Sequence, residues 1–227
     1  MTAVQGEQAF LSEVREQLKT QKFQPLPVRQ VTMPKPGTPK RRRLGIATVR
    51  DRVVQAALNL GLEPMLEADF QPCSSGFRPE RRARDAMAEM HYNTSRSYAW
   101  LVEGDIKACF DESSHSALVQ RVRTRIGEKR VLALVKAFLK SGVLTEDNER
   151  QETNTGVPQG GMLSPLLSNV ALSILDEQFA AAWQAMGKSY QREQRRRTGL
   201  ANYRLVRYAD DLGGHGGRDP SRRRALA

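Results

Sequence analysis

Tyr208-Ala209-Asp210-Asp211 closes the alternating stretch Tyr203-Arg204-Leu205-Val206-Arg207-Tyr208 and sets two adjacent carboxylates at the end of a predicted strand. Far upstream, the apolar run Ala99-Trp100-Leu101-Val102 leads through Gly104 to Asp105, so a third carboxylate falls at the C-terminal end of another predicted strand. An aspartate pair at a hairpin tip, facing a third aspartate, gathers hard oxygen ligands that suit magnesium. Two such ions a few ångströms apart can activate an attacking 3′-hydroxyl and stabilise a leaving pyrophosphate, the two-metal chemistry of nucleotidyl transfer.

Composition fits that chemistry. The 227 residues are 39% hydrophobic, enough for a real core in one large domain or two small ones. Lys and Arg number 36 against 25 Asp and Glu, a formal charge of +11 that calls for a polyanionic partner. Nucleic acid is the first such partner and an acidic membrane surface the second. No apolar run approaches the roughly 20 residues of a spanning helix, and the polar N-terminus has no signal-peptide core. The expectation is a cytoplasmic protein with no membrane partner. Cys73 and Cys109 lack paired ligand spacing and read as small buried side chains.

Working outward, Phe10, Leu11, Val14 and Leu18 mark one stripe of a helix over 7–20. Val28 to Met33 alternates like a strand and leads into a proline-punctuated basic loop with Lys35, Lys40, Arg41, Arg42 and Arg43. Residues 51–69 read as a core helix loosened by Gly61 and Pro64, and 82–92 as another beyond the turn-rich connector Cys73 to Pro79. After Asp105, Ser113 or Ser114 can cap a helix faced by Leu118, Val122 and Ile126, and Val131 to Lys140 forms a second, closed by Gly142. A hairpin turns at Glu146-Asp147-Asn148. The glycine-bracketed turn Gly156 to Gly161 precedes a largely buried helix opening at Ser164-Pro165. An arginine-rich stretch, Lys188 to Arg197, then leads to the Tyr203 strand. Mixed strands and helices without a glycine-rich βαβ fingerprint predict an α+β fold.

Six motifs occur in order: Arg42-Arg43-Leu44-Gly45-Ile46; Asp51-Arg52-Val53-Val54-Gln55; Gly76-Phe77-Arg78-Pro79; Asp105 through Asp111 with His115; Gly156 through Gly161 with Ser164 through Asn169; and Arg207 through Asp211. Over residues 23 to 211 this series resembles the reverse transcriptases encoded by bacterial group II introns. The resemblance implies a right-hand polymerase, with a fingers-like region over 1–97 and a palm-like region over 98–211, using two magnesium ions. It implies Asp105, Asp210 and Asp211 as metal ligands, joined by the main-chain carbonyl of Ile106. Phe110 falls where the family places an aromatic ring beneath the incoming sugar, a ring that would clash with a ribose 2′-hydroxyl. Gln159 resembles a nucleotide-contacting glutamine, and Lys35 or Lys40 with Arg42 resemble cations over the phosphates. The implied partners are an RNA template, intron RNA, a DNA primer and deoxynucleotide triphosphates. Each residue also has a plainer reading: Phe110 as core, Gln159 as a turn stabiliser, His115 as a helix-start or packing residue.

Two departures from the family pattern stand out. Arg43 and Ala47 occupy positions where the family usually carries proline. After Leu212 the chain reads Gly213-Gly214-His215-Gly216-Gly217 and ends among arginines, where the family continues through further palm, a thumb and a maturase region. Residues 212–227 are therefore expected to be a disordered tail, leaving the palm incomplete and activity reduced or absent. The alternative function is a non-catalytic, maturase-like fragment that binds intron RNA and assists splicing; a retron or diversity-generating lineage is a third.

Overall fold

A computed structural model of the chain describes residues 3–34, 37, 39, 41–96, 98, 100–106, 112–198, 200 and 202–216. Its contacts divide the chain into two units that alternate along the sequence, residues 1–62 with 110–164 and residues 63–109 with 165–227. The division follows packing rather than chain order.

In the first unit, helix α1 (Ala3–Lys19) lays Phe10, Val14 and Leu18 against Phe23, Val54, Leu58, Leu134 and Phe138. Leu11, assigned to that stripe from its spacing, points away and is exposed. Strand β1 (Val28–Pro34) pairs antiparallel with β2 (Arg41–Ile46), so half of the expected basic loop is a strand. The cations do not oppose this, because β2 is the outer strand of a four-stranded sheet and edge strands tolerate exposed charge. The sheet continues from β1 through β4 (Val143–Leu144) to β5 (Arg150–Gln151), the predicted hairpin. Glu146 in its turn accepts the Thr32 N–H at 2.7 Å. Hydrogen bonding from the Thr32 side chain and then from its N–H, with a smaller contribution from Arg41, holds the carboxyl below its ordinary value. Helix α2 (Val49–Glu67) begins at Thr48, whose hydroxyl donates to Asp51 at 2.8 Å, and it runs unbroken through Gly61 and Pro64. Helices α4 (His115–Arg123) and α5 (Lys129–Leu139) bury Leu118, Val122, Leu132, Val135 and Leu139, with Ser114 as the cap of α4.

The second unit is built on a three-stranded sheet in the order β3 (Trp100–Asp105), β7 (Asp211–Gly216), β6 (Tyr203–Tyr208). Three helices belong to it: α3 (Ala83–Ser95), most of α6 (Ser164–Ala185), and α7 (Ser189–Arg197), the arginine-rich stretch. Arg192 and Arg204 lie over the Trp183 ring at 3.9 and 4.6 Å, and Arg196 over Tyr98 at 5.0 Å. Those arginines are partly structural, clasping α7 to the unit by cation–π contact.

The disordered-tail expectation is corrected over residues 212–216, and 217–227 lie outside the described residues. Leu212 to Gly216 belong to the central strand of the sheet, paired with Tyr203 to Arg207 on one side and Trp100 to Gly104 on the other. A ladder is made by main chain, which glycine supplies as fully as any residue. Side chains are unwelcome at one place in it: a Cβ at Gly213 would stand 3.1 Å from Met90 Cε of α3. Of the glycines that argue against a strand, Gly213 is here a mark of close approach.

Candidate functional site

The aspartates sit at one end of the three-stranded sheet. Tyr208 pairs with Asp211, leaving Ala209 and Asp210 as a two-residue loop between β6 and β7. Ala209 takes φ +58°, a left-handed conformation that costs a non-glycine residue about 1–2 kcal/mol. The surroundings hold it there. Arg207 Nη1 donates to the Ala209 carbonyl at 2.7 Å. The neighbouring segment grips the end of β6, with Arg207 N–H donating to Cys73 O at 2.7 Å and Ser75 N–H donating to Arg207 O at 2.9 Å. Gly76 passes so close that a Cβ would stand 2.8 Å from Ala209 Cα, which excludes any larger residue there.

Asp210 is half-buried and Asp211 exposed, and neither makes an ion pair among the described residues. Across the other ladder, Asp105 stands directly opposite Asp211. Opposed residues of an antiparallel pair have Cα atoms about 4.5–5.5 Å apart. Backbone register alone therefore gathers the three aspartates. Asp105 is described by its backbone only; Ile106, which follows, is half-buried. Beside Asp211 opens a cavity of about 430 Å³, lined in part by Met90, Glu103, Val206 and Tyr208.

Beneath the turn lies a buried polar network. Arg207 has no exposed surface; its Nε and Nη2 fork onto the Asp176 carboxylate at 2.8 and 2.6 Å, and Nη1 also reaches Asn169 Oδ1 at 3.0 Å. Asn169 Nδ2 in turn donates to the Gly76 carbonyl at 2.8 Å. Burial, followed by the Asp176 charge, pushes the nearby Cys73 thiol up to about 12, so it is neutral and unreactive at physiological pH.

In the first unit, hydrogen bonds draw three sequence motifs together around the glycine turn. Gly45 N–H of β2 donates to Gln159 O at 2.7 Å, Met162 N–H to Gln55 Oε1 of α2 at 2.9 Å, and Ser164 Oγ to Pro158 O at 2.6 Å. His115 Nε2 meets the Gly156 carbonyl at 2.6 Å; a carbonyl only accepts, so the proton is on Nε2. Gln159 is half-buried beside a cavity of about 460 Å³ that Arg43 and Gly45 also line. Arg42 is exposed on β2 opposite Met33. Lys35, Lys40 and Phe110 lie outside the described residues.

Residues 33–213 match the family of reverse transcriptases (RNA-dependent DNA polymerases). The chain belongs to this family. It is 39% identical over 171 residues to protein YkfC of Escherichia coli K12, and 37% identical over 167 residues to the group II intron-encoded protein LtrA of Lactococcus lactis. Each match takes in 74% of the chain, which spans 44% of YkfC and 28% of LtrA. Its fold is similar to that of a chain from a partial complex of Cas6-RT-Cas1 with Cas2, at a TM-score of 0.54 and 23% identity over 96% of the present chain.

The reverse transcriptase family generally uses divalent cations, and the donor set here fits one. Asp105, Asp210, Asp211 and the Ile106 carbonyl are all oxygen donors, without imidazole or thiolate, and two of the carboxylates are free of competing cations among the described residues. Asp176 stands outside the six sequence motifs and Asn169 ends one of them, yet a signal for their pairing with Arg207 is present in the sequence. They lie seven residues apart, on one face of a helix, and Arg207 shares a strand face with buried Leu205. Polar residues set into two otherwise apolar faces call for each other.

Proposed function

We propose that the chain carries the catalytic aspartates of an RNA-directed DNA polymerase of the group II intron type. The reading is supported above all by the register that sets Asp105 opposite Asp211, one residue from Asp210. Asp105, Asp210 and Asp211, with the Ile106 carbonyl, would hold two magnesium ions. Bound magnesium supplies an activated 3′-hydroxyl and charge stabilisation at the phosphates. Arg42, with Lys35 or Lys40, neutralises the triphosphate; Gln159 contacts the nucleotide; Phe110 disfavours a 2′-hydroxyl. RNA serves as template, a DNA strand as primer and deoxynucleotide triphosphates as substrates.

Primer extension on an RNA template with magnesium and deoxynucleotides tests this reading, with Asp210→Asn beside the unaltered chain. Loss of one ligand is expected to lower extension by about a hundredfold or more, with RNA affinity within twofold. Extension indifferent to Asp210→Asn would sink the reading. A second function, binding of intron RNA without catalysis, is favoured by the net charge of +11 and by Arg41, Arg42 and Arg43, exposed together on β2. Tight RNA binding that weakens steeply with salt, in a chain that extends no primer, would select it.

A further inference from the structure

We propose that Arg207 is a positioning residue for the aspartate turn, fixing Asp210 and Asp211 through the Ala209 carbonyl while anchored on Asp176 and Asn169. The inference deepens the polymerase reading and rests on it for its functional meaning. Its physical basis is independent. Ala209 holds a left-handed conformation that is intrinsically unfavourable for alanine, so something must hold the turn. The Arg207 guanidinium reaches it from beneath: Nη1 is shared between Ala209 O and Asn169 Oδ1, while Nε and Nη2 are committed to both oxygens of Asp176. A planar fork held at two edges cannot rotate without breaking several charge-assisted bonds. Asn169 closes the ring by donating to Gly76 O, on the segment packed against Ala209. Helix α6, which contributes no metal ligand, thereby sets where the two ligands stand.

The site requires such a device. Two adjacent carboxylates repel one another, and an exposed turn would relax to separate them. Displacements near an ångström cost roughly a hundredfold in rate when they misplace reacting groups, and residues that orient ligands are commonly worth about 10–100-fold in metal affinity.

The test uses the full chain as wild type, Arg207→Lys and Asn169→Ala. Two readouts apply: amide hydrogen exchange at Ala209 to Asp211, and Mn²⁺ affinity followed by electron paramagnetic resonance of the free ion. Lysine keeps the charge but lacks the fork, and cannot serve Asp176, Asn169 and Ala209 together. Arg207→Lys is expected to speed exchange at the turn by about tenfold and to weaken Mn²⁺ by about tenfold, while Leu205 and Val206 in the ladder stay protected. Asn169→Ala, which leaves the Asp176 pair in place, is expected to shift both readouts the same way by roughly threefold. It decides the matter if the lysine variant does not fold. Intact ladders with unchanged turn exchange and Mn²⁺ affinity would overturn the proposal. So would loss of ladder protection in both variants, which would assign Arg207 to stability alone. Primer extension by wild type, scored separately, keeps the two readings apart. A chain that extends no primer but shows the exchange effect loses the polymerase reading and keeps the positioning role; active wild type without that effect does the reverse.

Discussion

The two turns that carry candidate site residues are held by opposite means. The Ala209–Asp210 turn stands on a guanidinium and a carboxylate with no exposed surface, whereas the Gly156–Gly161 turn is fastened by main-chain groups, a glutamine, a serine and a histidine, without a carboxylate among the described residues. A desolvated ion pair is a poor source of net stability but tolerates few geometries, so it suits a loop whose carboxylates must stay where they are. Neutral bonds to the glycine turn leave Arg41, Arg42 and Arg43 exposed on the neighbouring strand. One region spends its charge on precision and the other keeps it for solvent and ligand.

The sharpest way to break this contrast is Asp176→Ala. It strands the Arg207 guanidinium without its carboxylate, for an expected loss of about 3–5 kcal/mol in urea unfolding. Arg42→Ala, on exposed β2, should change the same midpoint by less than about 0.5 kcal/mol. Similar values for the two would end the comparison. His115→Phe tests the neutral region: it leaves the buried Gly156 carbonyl without its donor, at about 1–3 kcal/mol, and His115→Gln should recover part of this by restoring an N–H. A cost as large as that of Asp176→Ala would show that both turns depend equally on one side chain.

Smaller effects separate the units by pH. The Cys73 thiol is raised from 9.0 to about 12 in the fold, so its contribution is complete below pH 9 and fades as pH climbs toward 12. Iodoacetamide at pH 8.5 should therefore modify Cys73 at least about tenfold more slowly in the folded than in the unfolded chain. Glu146 works in the other direction. Its carboxyl is held below 4.5, so the support it gives Thr32 is present above that pH and disappears as acid protonates it. Faster exchange of the Thr32 amide below pH 4.5, with the aspartate ladder unchanged, is expected, and an unaltered Thr32 amide would remove the role given to Glu146.

Element types were largely legible in the sequence because long helices and the Tyr203 strand carry clear periodicity. The errors have physical causes. Glycines after Leu212 suggest a break in strand structure, but the β3 and β6 ladders supply pairing from both sides, and at Gly213 the backbone passes close to Met90. Prolines and arginines before Gly45 suggested a loop, while an outer strand accommodates exposed cations. The spacing of Leu11 matched the stripe of α1 but not the side that packs. In the candidate site, strand ends and motif order single out Asp105, Asp210 and Asp211, and the register sets Asp105 opposite Asp211. The link from Arg207 to Asn169 and Asp176 is not marked in that way, because a polar residue within an apolar helix acquires its meaning only from the partner it meets.

The order of strands also has a consequence for how the chain comes together. β7 follows the other described strands in sequence, yet it lies between β3 and β6, so among the described residues β3 has no neighbour in its sheet until β7 has been made. Asp105 and Asp211 meet across a separation of about a hundred residues, and ring closure on that scale precedes any pairing that rewards it. The first unit has the same character, since β1 waits for β4. Topologies rich in such distant pairings fold in milliseconds to seconds rather than microseconds. During that interval the nascent chain carries β3 with both edges open, the period in which it is most exposed to aggregation and in greatest need of a chaperone.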